Sequence, residues 1–226
     1  MSSNPEFSIA IALLKYLGFL IAITMYQAGI AIMAKRKGDA SFQTTQLATF
    51  NPIPHIEIVG TIIFPFITIL ANFPVVFGWP RQFQIDSRYF KNPKRDINLI
   101  YLSGVGINFL IAIICMISLR SMGGFILFPT PQMDLSNPNN LLYFMLGKIG
   151  LTNMVIGALF LLPLPGYAGW NILINNLNYN TAKKLQEKAM IISFIGMAII
   201  LFGFLDVFLK LFSFLFILGS NTIVGF

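Results

Sequence analysis

The chain has 226 residues, of which 56% are apolar and only 10% are charged, and its mean hydropathy is +0.77. A soluble domain carries about 25% charged residues, so this composition excludes an ordinary soluble protein and indicates an integral membrane protein. The net charge of +7 is concentrated beside apolar segments, where basic residues orient membrane proteins, so we expect no nucleic-acid partner.

Five apolar segments approach or exceed the roughly 20 residues that a membrane-spanning helix requires. They cover residues 8–34, 57–78, 97–119, 141–163 and 189–218. Backbone inside a bilayer must satisfy its own hydrogen bonds, and these segments lack the alternation of barrel strands. We therefore predict an all-α polytopic membrane protein.

The distribution of lysine and arginine predicts that one segment does not cross the membrane. Basic clusters follow the first segment, at 35–37, and the second, at 81–95. If both segments crossed, these clusters would lie on opposite sides, against the positive-inside rule. Segment 57–78 contains Pro65 and Pro74, which interrupt a helix. We predict a re-entrant or surface segment there, about four spanning helices, cytoplasmic basic loops and external termini.

Residues 40–50 differ in character from the apolar segments around them. Their Ser, Thr and Gln residues alternate in part with Phe and Leu, which favours a short β hairpin. The edge of such a hairpin would pair with another extended chain. An ordinary connecting loop fits the same residues equally well.

Gly104 and Gly106 lie two residues apart on a predicted span, with Asn108 close by. Small residues allow membrane helices to approach closely, and asparagine bonds across such contacts. The pattern predicts helix packing at this point.

Few side chains could carry chemistry. The chain has one histidine, His55, and one cysteine, Cys115, whereas a catalytic zinc ion usually needs three protein ligands. Asp206 lies in an apolar segment, with Lys210 one helical turn later, and a self-neutralising pair is the simpler interpretation. The irregular stretch "LLPLPGYAGW" at 161–170 needs shelter from lipid.

Six separate stretches share one ordered pattern. They are Gly38-Asp39, "NPIPHIEIVGTI" at 51–62, "FGWPRQFQID" at 77–86, "NPKRD" at 92–96, "GVGIN" at 104–108 and "FLLPLPGYAG" at 160–169. In these six stretches the sequence resembles the site-2 protease family of intramembrane zinc metalloproteases, in its minimal form without a PDZ domain. The resemblance covers about 18–175 and implies that family's helical core within a single membrane domain, 1–226, which ends in a transmembrane helix at 189–218.

The departures from the family pattern fall where its chemistry would occur. The family's H-E-x-x-H motif supplies two zinc-binding histidines and a glutamate that activates water, and the aspartate of its L-D-G motif is the third ligand. This chain has Tyr26 and Ile30 for the histidines, Gln27 for the glutamate, Ala168 for the aspartate and Phe160 for a family asparagine. The sequence therefore predicts no metal, no cofactor and an inactive homologue, a pseudoprotease.

We accordingly expect a scaffold subunit, or a protein that binds another integral membrane protein or a transmembrane client helix. The resemblance implies that a client adds as a strand near 40–50. The residues expected to line this groove are Phe42, Thr44, Gln46, Ala48, His55 and Asn108. We also expect a bacterial inner-membrane location, with anionic lipid headgroups at the basic loops.

Two alternatives stay open at this point. One is a zinc-dependent intramembrane protease whose ligand set is completed by a partner chain, in which His55 would have to be a ligand. The other is a small channel or transporter that uses Asp206 and Lys210 or the re-entrant segment, although the repeats typical of transporters are missing.

Overall fold

The computed structural model describes residues 5–71, 76–123, 137–200 and 204–221. In these ranges the helices are α1 (Pro5–Lys37), α2 (Phe42–Leu47), α3 (Phe64–Leu70), α4 (Pro93–Ser121), α5 (Pro138–Phe160), α6 (Ala168–Asn176), α7 (Tyr179–Glu187), α8 (Ala189–Ile199) and α9 (Leu205–Asn221). A 3₁₀ turn at Ile53–His55 and a π-helical turn at Ile58–Ile63 lie between α2 and α3. The described part of the chain contains no strand, which confirms the all-α prediction.

Three of the described helices are long and apolar enough to cross a bilayer. Their spanning portions are Ile9–Lys37, Pro93–Ser121 and Pro138–Phe160, with 29, 29 and 23 residues. At about 1.5 Å per residue, each exceeds the roughly 30 Å of a hydrocarbon core, as a polytopic membrane protein requires. Within 189–218, which we predicted as one spanning helix, the structure describes the helical stretches Ala189–Ile199 and Leu205–Asn221.

The chain after α1 returns to the end of the bundle where α1 finished. The Nζ atom of Lys37 lies 2.8 Å from a carboxylate oxygen of Asp96, so the last turn of α1 contacts the first turn of α4. The apolar helical run between them, Ile58–Leu70, rises only about 20 Å. This run is too short to cross, in agreement with the re-entrant or surface placement that the basic clusters predicted for 57–78.

A Schellman motif ends α1 and positions the residue that follows it. Gly38 has a φ of 115°, which glycine adopts without strain. Its N–H donates to the carbonyl of Lys35, and the N–H of Asp39 donates to the carbonyl of Ala34. The chain therefore reverses sharply, and the side chain of Asp39 turns inward towards α2.

α1 and α4 cross through small residues. A Cβ atom built on Gly29 would lie 3.2 Å from the Cα atom of Gly104, and one built on Gly104 would lie 2.6 Å from the carbonyl oxygen of Tyr26. The hydroxyl of Ser103 donates to the carbonyl of Gly29 at 3.0 Å. The predicted close packing therefore holds at Gly104, whereas Gly106 faces open space.

The predicted β hairpin near 40–50 is wrong, because α2 occupies this region. The Ser41 hydroxyl accepts a hydrogen bond from the N–H of Thr44 at 3.3 Å and so caps the helix. The Thr44 hydroxyl in turn donates to the Asp39 carboxylate at 2.6 Å. The partial alternation of polar and apolar residues did not reveal this cap or its contact with Asp39.

Candidate functional site

The positions at which the sequence departs from the protease motif converge at one end of the bundle. The ring centroids of Tyr26 on α1 and Phe160 on α5 are 4.3 Å apart. The Phe160 ring also packs on Tyr167, with a centroid distance of 4.9 Å. The Tyr26 hydroxyl contacts the backbone of Ala168, the first residue of α6. Aromatic rings thus fill the space between α1, α5 and α6.

A cavity of about 20 Å³ remains beside this aromatic cluster. Its walls include Tyr26, Gln27 and Ile30 from α1, and Pro80, Gln82 and Phe83 from the chain after α3. This volume accommodates about one water molecule. The chamber formed by the motif positions is therefore nearly filled by side chains.

Gln27 is almost fully buried, and both ends of its amide are bonded. Its Nε2 donates to the main-chain carbonyl of Arg81. Its Oε1 lies 2.9 Å from Nδ1 of His55, whose Nε2 lies 2.9 Å from the carbonyl oxygen of Thr49. Gln27 of α1 is thereby bonded to two segments that cover this end of the bundle, one containing His55 and the other containing Arg81.

The His55 ring is fully buried between two oxygen acceptors. An imidazole donates from both nitrogens only when it is protonated. Burial lowers the pKa of His55, and the hydrogen bond to the Thr49 carbonyl opposes this shift. Because both ring nitrogens face oxygen atoms, one of Gln27 and one of Thr49, His55 connects the loop to Gln27 and turns neither nitrogen towards a metal site.

The side chains at the motif positions do not fit a zinc ion. Ile30 and Ala168 have no donor atom, and the Gln27 amide is already bonded to Arg81 and His55. Across the described ranges, no group of three or more His, Cys, Asp and Glu residues could hold a metal ion.

Residues 79–86, the covering segment, cross the site without helix or turn. The N–H of Trp79 donates to the carbonyl of Gly60 at 3.1 Å, and the Thr61 hydroxyl donates to the carbonyl of Trp79 at 3.1 Å. The N–H of Arg81 donates to the carbonyl of His55 at 3.0 Å. These bonds hold the first half of the covering segment against the loop at 55–61.

The second half of the covering segment is held by two side chains. The N–H of Gln84 donates to Oε1 of Gln43 at 3.4 Å, and the N–H of Asp86 donates to the Asp39 carboxylate at 3.0 Å. Asp39 is almost fully buried and also accepts from Ser41 and Thr44. Burial acts to raise the pKa of Asp39, but the hydrogen bonds from Thr44, Ser41 and Asp86 outweigh it and lower that pKa.

Asp39, Gln43 and Arg81 were not among the predicted site residues. The sequence carries a signal for Asp39 alone, because an acidic residue follows the glycine at a helix stop, with a serine and a threonine shortly after it. Arg81 bonds Gln27 and His55 through its main-chain groups, so the residue type at position 81 could not reveal these contacts.

The structure places the six residues predicted to line a client groove in three different surroundings. Phe42 and Gln46 are exposed on α2, and Ala48 follows its last residue. Thr44 and His55 are fully buried in bonds to Asp39 and Gln27. Asn108 lies in the core, where its Cβ atom is 3.2 Å from the position of a Cβ atom on Gly157.

Two larger cavities lie along the covering segment. One, of about 290 Å³, is lined by Trp79, Gln82, Leu164, Pro165, Gly166, Tyr167 and Ser193. The other, of about 370 Å³, is lined by Ser41, Phe42, Gln43, Gln84, Ile85 and Asp86. Gln82 and Gly166 also line the 20 Å³ chamber, so these two residues separate it from the 290 Å³ cavity.

Comparison with known proteins gives one informative similarity. No family model and no solved structure matches the chain. The curated protein "Putative zinc metalloprotease YwhC" of Bacillus subtilis (strain 168) is 29% identical over 154 residues. The alignment covers 68% of this chain and 64% of the relative, which is less than two thirds of the relative's length.

This similarity corrects one of the sequence-based predictions. We expected the chain not to be an enzyme, but a relative that is named as a zinc metalloprotease points, at 29% identity, to a protease. The residue types at Tyr26, Ile30 and Ala168 were therefore not sufficient ground for that expectation. The chain is an all-α polytopic membrane protein that is similar to the Bacillus subtilis protein named "Putative zinc metalloprotease YwhC".

Proposed function

We propose that this chain is a membrane-embedded subunit that binds a segment of another integral membrane protein within a membrane complex. The observation that carries the proposal is the 290 Å³ cavity beside the 20 Å³ chamber. Trp79, Leu164, Pro165 and Tyr167 give it apolar walls, and Ser193 adds a hydroxyl. A mostly apolar concave site with a few polar groups is the usual form of a binding pocket.

The similarity to a metalloprotease supports a polypeptide as the bound molecule, because a protease has to hold one. The 290 Å³ cavity adjoins the chamber formed by the motif positions through Gln82 and Gly166. An apolar side chain of a bound membrane segment would enter this cavity, and its burial would supply the main favourable term.

We also propose that anionic lipid headgroups bind at this end of the bundle, on the cytoplasmic face of a bacterial inner membrane. The exposed basic side chains here are Lys35, Arg36, Arg81, Arg88, Lys91, Lys94 and Arg95. Basic residues beside membrane helices attract anionic headgroups and favour the cytoplasmic side.

Native mass spectrometry of the gently extracted protein tests the proposed partner. We expect a second membrane protein at fixed stoichiometry, and we expect it to be lost from Ser193→Trp, which fills the cavity. Phe194→Trp is the matched control, since Phe194 is exposed and does not line the cavity. Recovery of the bare chain, or a partner that survives Ser193→Trp, would contradict the proposal.

A second candidate is favoured by the curated relative: an intramembrane protease whose zinc ligands are completed by a partner chain. The same spectra test it, because they report zinc and partner together. One chelatable zinc per complex, with cleavage of a membrane substrate that stops on chelation, would establish it. The channel or transporter alternative stays a prediction: it uses Asp206 and Lys210 or the re-entrant segment, and the side chain of Asp206 lies outside the described residues.

A further inference from the structure

We infer that Gln27 and His55 form a peptide-backbone binding site, which Arg81 of the covering segment occupies and which a partner's polypeptide segment takes when the covering segment is displaced. The inference rests on the proposed function and assigns a location to the binding. Its basis is that one residue has both main-chain groups bonded: the Arg81 N–H donates to the His55 carbonyl, and the Arg81 carbonyl accepts from Gln27 Nε2.

The two hydrogen bonds of Arg81 resemble those by which a β-strand pairs with its neighbour. In an antiparallel ladder, a hydrogen-bonded pair uses both the N–H and the C=O of one residue. Here a side-chain amide and a main-chain carbonyl take the part of the neighbouring strand. The Arg81 side chain is exposed and is not needed for either bond. Any residue with the same backbone conformation would satisfy Gln27 and His55 equally.

The other contacts of the covering segment follow the same rule. Every described hydrogen bond that joins residues 79–86 to α1, α2, Asp39 or the 55–61 loop uses a main-chain group of the segment. Its side chains contribute packing instead, since Phe83 and Ile85 are partly buried against the core. Recognition through main-chain groups is independent of sequence, so another polypeptide segment can replace the covering segment bond for bond.

The cavities give an incoming segment places for its side chains. The 290 Å³ cavity lies at the Trp79 end of the covering segment, and the 370 Å³ cavity lies at the Asp86 end. Release of the covering segment would also open the 20 Å³ chamber, since Pro80, Gln82 and Phe83 form part of its wall. The occupant that fits is therefore an extended polypeptide segment with an apolar side chain at the Trp79 end and polar side chains at the Asp86 end.

Cysteine labelling tests whether the covering segment is released as a unit. In a Cys115→Ala background, Ile30→Cys places a thiol in the chamber wall beneath the segment. Arg81→Pro removes the N–H that bonds His55, because proline has no N–H. The matched control is Arg81→Ala, which keeps that N–H and loses only the exposed side chain. We expect N-ethylmaleimide to label the Arg81→Pro chain about fivefold faster than the control.

A peptide probe tests what the opened site binds. The probe is the synthetic peptide WPRQFQID, with benzoylphenylalanine in place of its phenylalanine. On illumination we expect it to cross-link to α1 near Gln27 in the Arg81→Pro chain, and much less in the natural chain. The same peptide N-methylated at its arginine lacks the N–H that bonds His55 and should cross-link at least about fivefold less. N-methylation at its isoleucine should have no effect.

Two results would overturn the inference. One is equal labelling of the Arg81→Pro and Arg81→Ala chains, and the other is undiminished cross-linking of the peptide that is N-methylated at arginine. If Arg81→Pro does not fold, Gln27→Leu removes the opposite bond and is measured in the same way. None of these experiments needs the natural partner. If the peptide does not bind but native mass spectrometry still finds the partner, only this inference is rejected. Peptide binding without any partner in the native spectrum rejects only the proposed function.

Discussion

Gln27 on α1 and Arg81, 54 residues later, are joined by a hydrogen bond from the Gln27 side-chain amide to the Arg81 main-chain carbonyl. The family pattern has glutamate at the position of Gln27. An ionised carboxylate has no proton to donate, so it could not form this bond. The amide at position 27 therefore helps to hold the covering segment in its observed position.

Gln27→Glu should destabilise the fold at neutral pH. A buried carboxylate would face the Arg81 carbonyl, and we expect the free energy of unfolding to fall by about 1–3 kcal/mol. A protonated carboxyl regains a donor, so the deficit relative to the natural chain should shrink at low pH. Thermal unfolding of both chains in detergent between pH 4.5 and 8 measures this difference in stability. Gln46→Glu on the exposed face of α2 is the control, and a deficit that did not vary with pH would contradict the bonding scheme.

Asp39→Asn should loosen α2 and the covering segment together. The Asp39 carboxylate accepts from Ser41, Thr44 and Asp86, and hydrogen bonds to a charged acceptor contribute about 1.5–3 kcal/mol each. An asparagine can keep only part of this set, so we expect a loss of about 2–3 kcal/mol in the free energy of unfolding. Asp86→Asn is the control, because it keeps the main-chain N–H that bonds Asp39.

The same residue makes a prediction about pH. Hydrogen bonds hold the pKa of Asp39 below its usual value of 3.8. A depressed pKa gives stability that is present above the unfolded-state value and is lost as the pH falls through the folded-state value. The melting temperature of the natural chain should therefore drop below roughly pH 4. That drop should be smaller in Asp39→Asn, and equal acid sensitivity of the two chains would refute this origin.

Gly104→Ala should be destabilising, and Gly106→Ala should not. A Cβ atom at 104 would lie 2.6 Å from the carbonyl oxygen of Tyr26, whereas one at 106 meets nothing within 4 Å. The helices would have to move apart at 104, at a cost of about 1–3 kcal/mol. Alanine at 106 favours the helix by up to about 1 kcal/mol. Thermal unfolding of the two variants compares them directly, and equal melting temperatures would contradict the crossing at Gly104.

Asn108→Leu should stabilise the bundle. Asn108 is fully buried, and neither atom of its side-chain amide has a hydrogen-bond partner among the described residues. Replacing an unsatisfied buried amide by an apolar group of similar size should raise the free energy of unfolding by about 1–2 kcal/mol. Asn98→Leu should have the opposite sign, because Asn98 bonds Asn175 and Asn176. Destabilisation by Asn108→Leu would show that the natural amide has a partner.

The fold class and the three spans that the structure describes followed from composition and from local patterns. Long apolar runs leave helices as the only economical way to satisfy backbone hydrogen bonds in a bilayer. The basic clusters at 35–37 and 81–95 indicated that the chain between α1 and α4 returns to one end, where Lys37 and Asp96 meet. The hairpin near 40–50 failed because α2 is stabilised by its contact with Asp39, which local alternation does not report.

The sequence by itself determined that this is an all-α membrane protein, because composition and long apolar runs are local properties. From a resemblance it also predicted that Tyr26, Gln27, Ile30 and Ala168 stand at the positions of a zinc site. The tertiary structure decided what those positions do instead. It packed Tyr26 on Phe160 and placed Gln27 between His55 and Arg81, which lie 28 and 54 residues further along the chain. The covering segment is held through main-chain groups, and these are the same for every residue type except proline. Only the fold could therefore show which residue occupies the site.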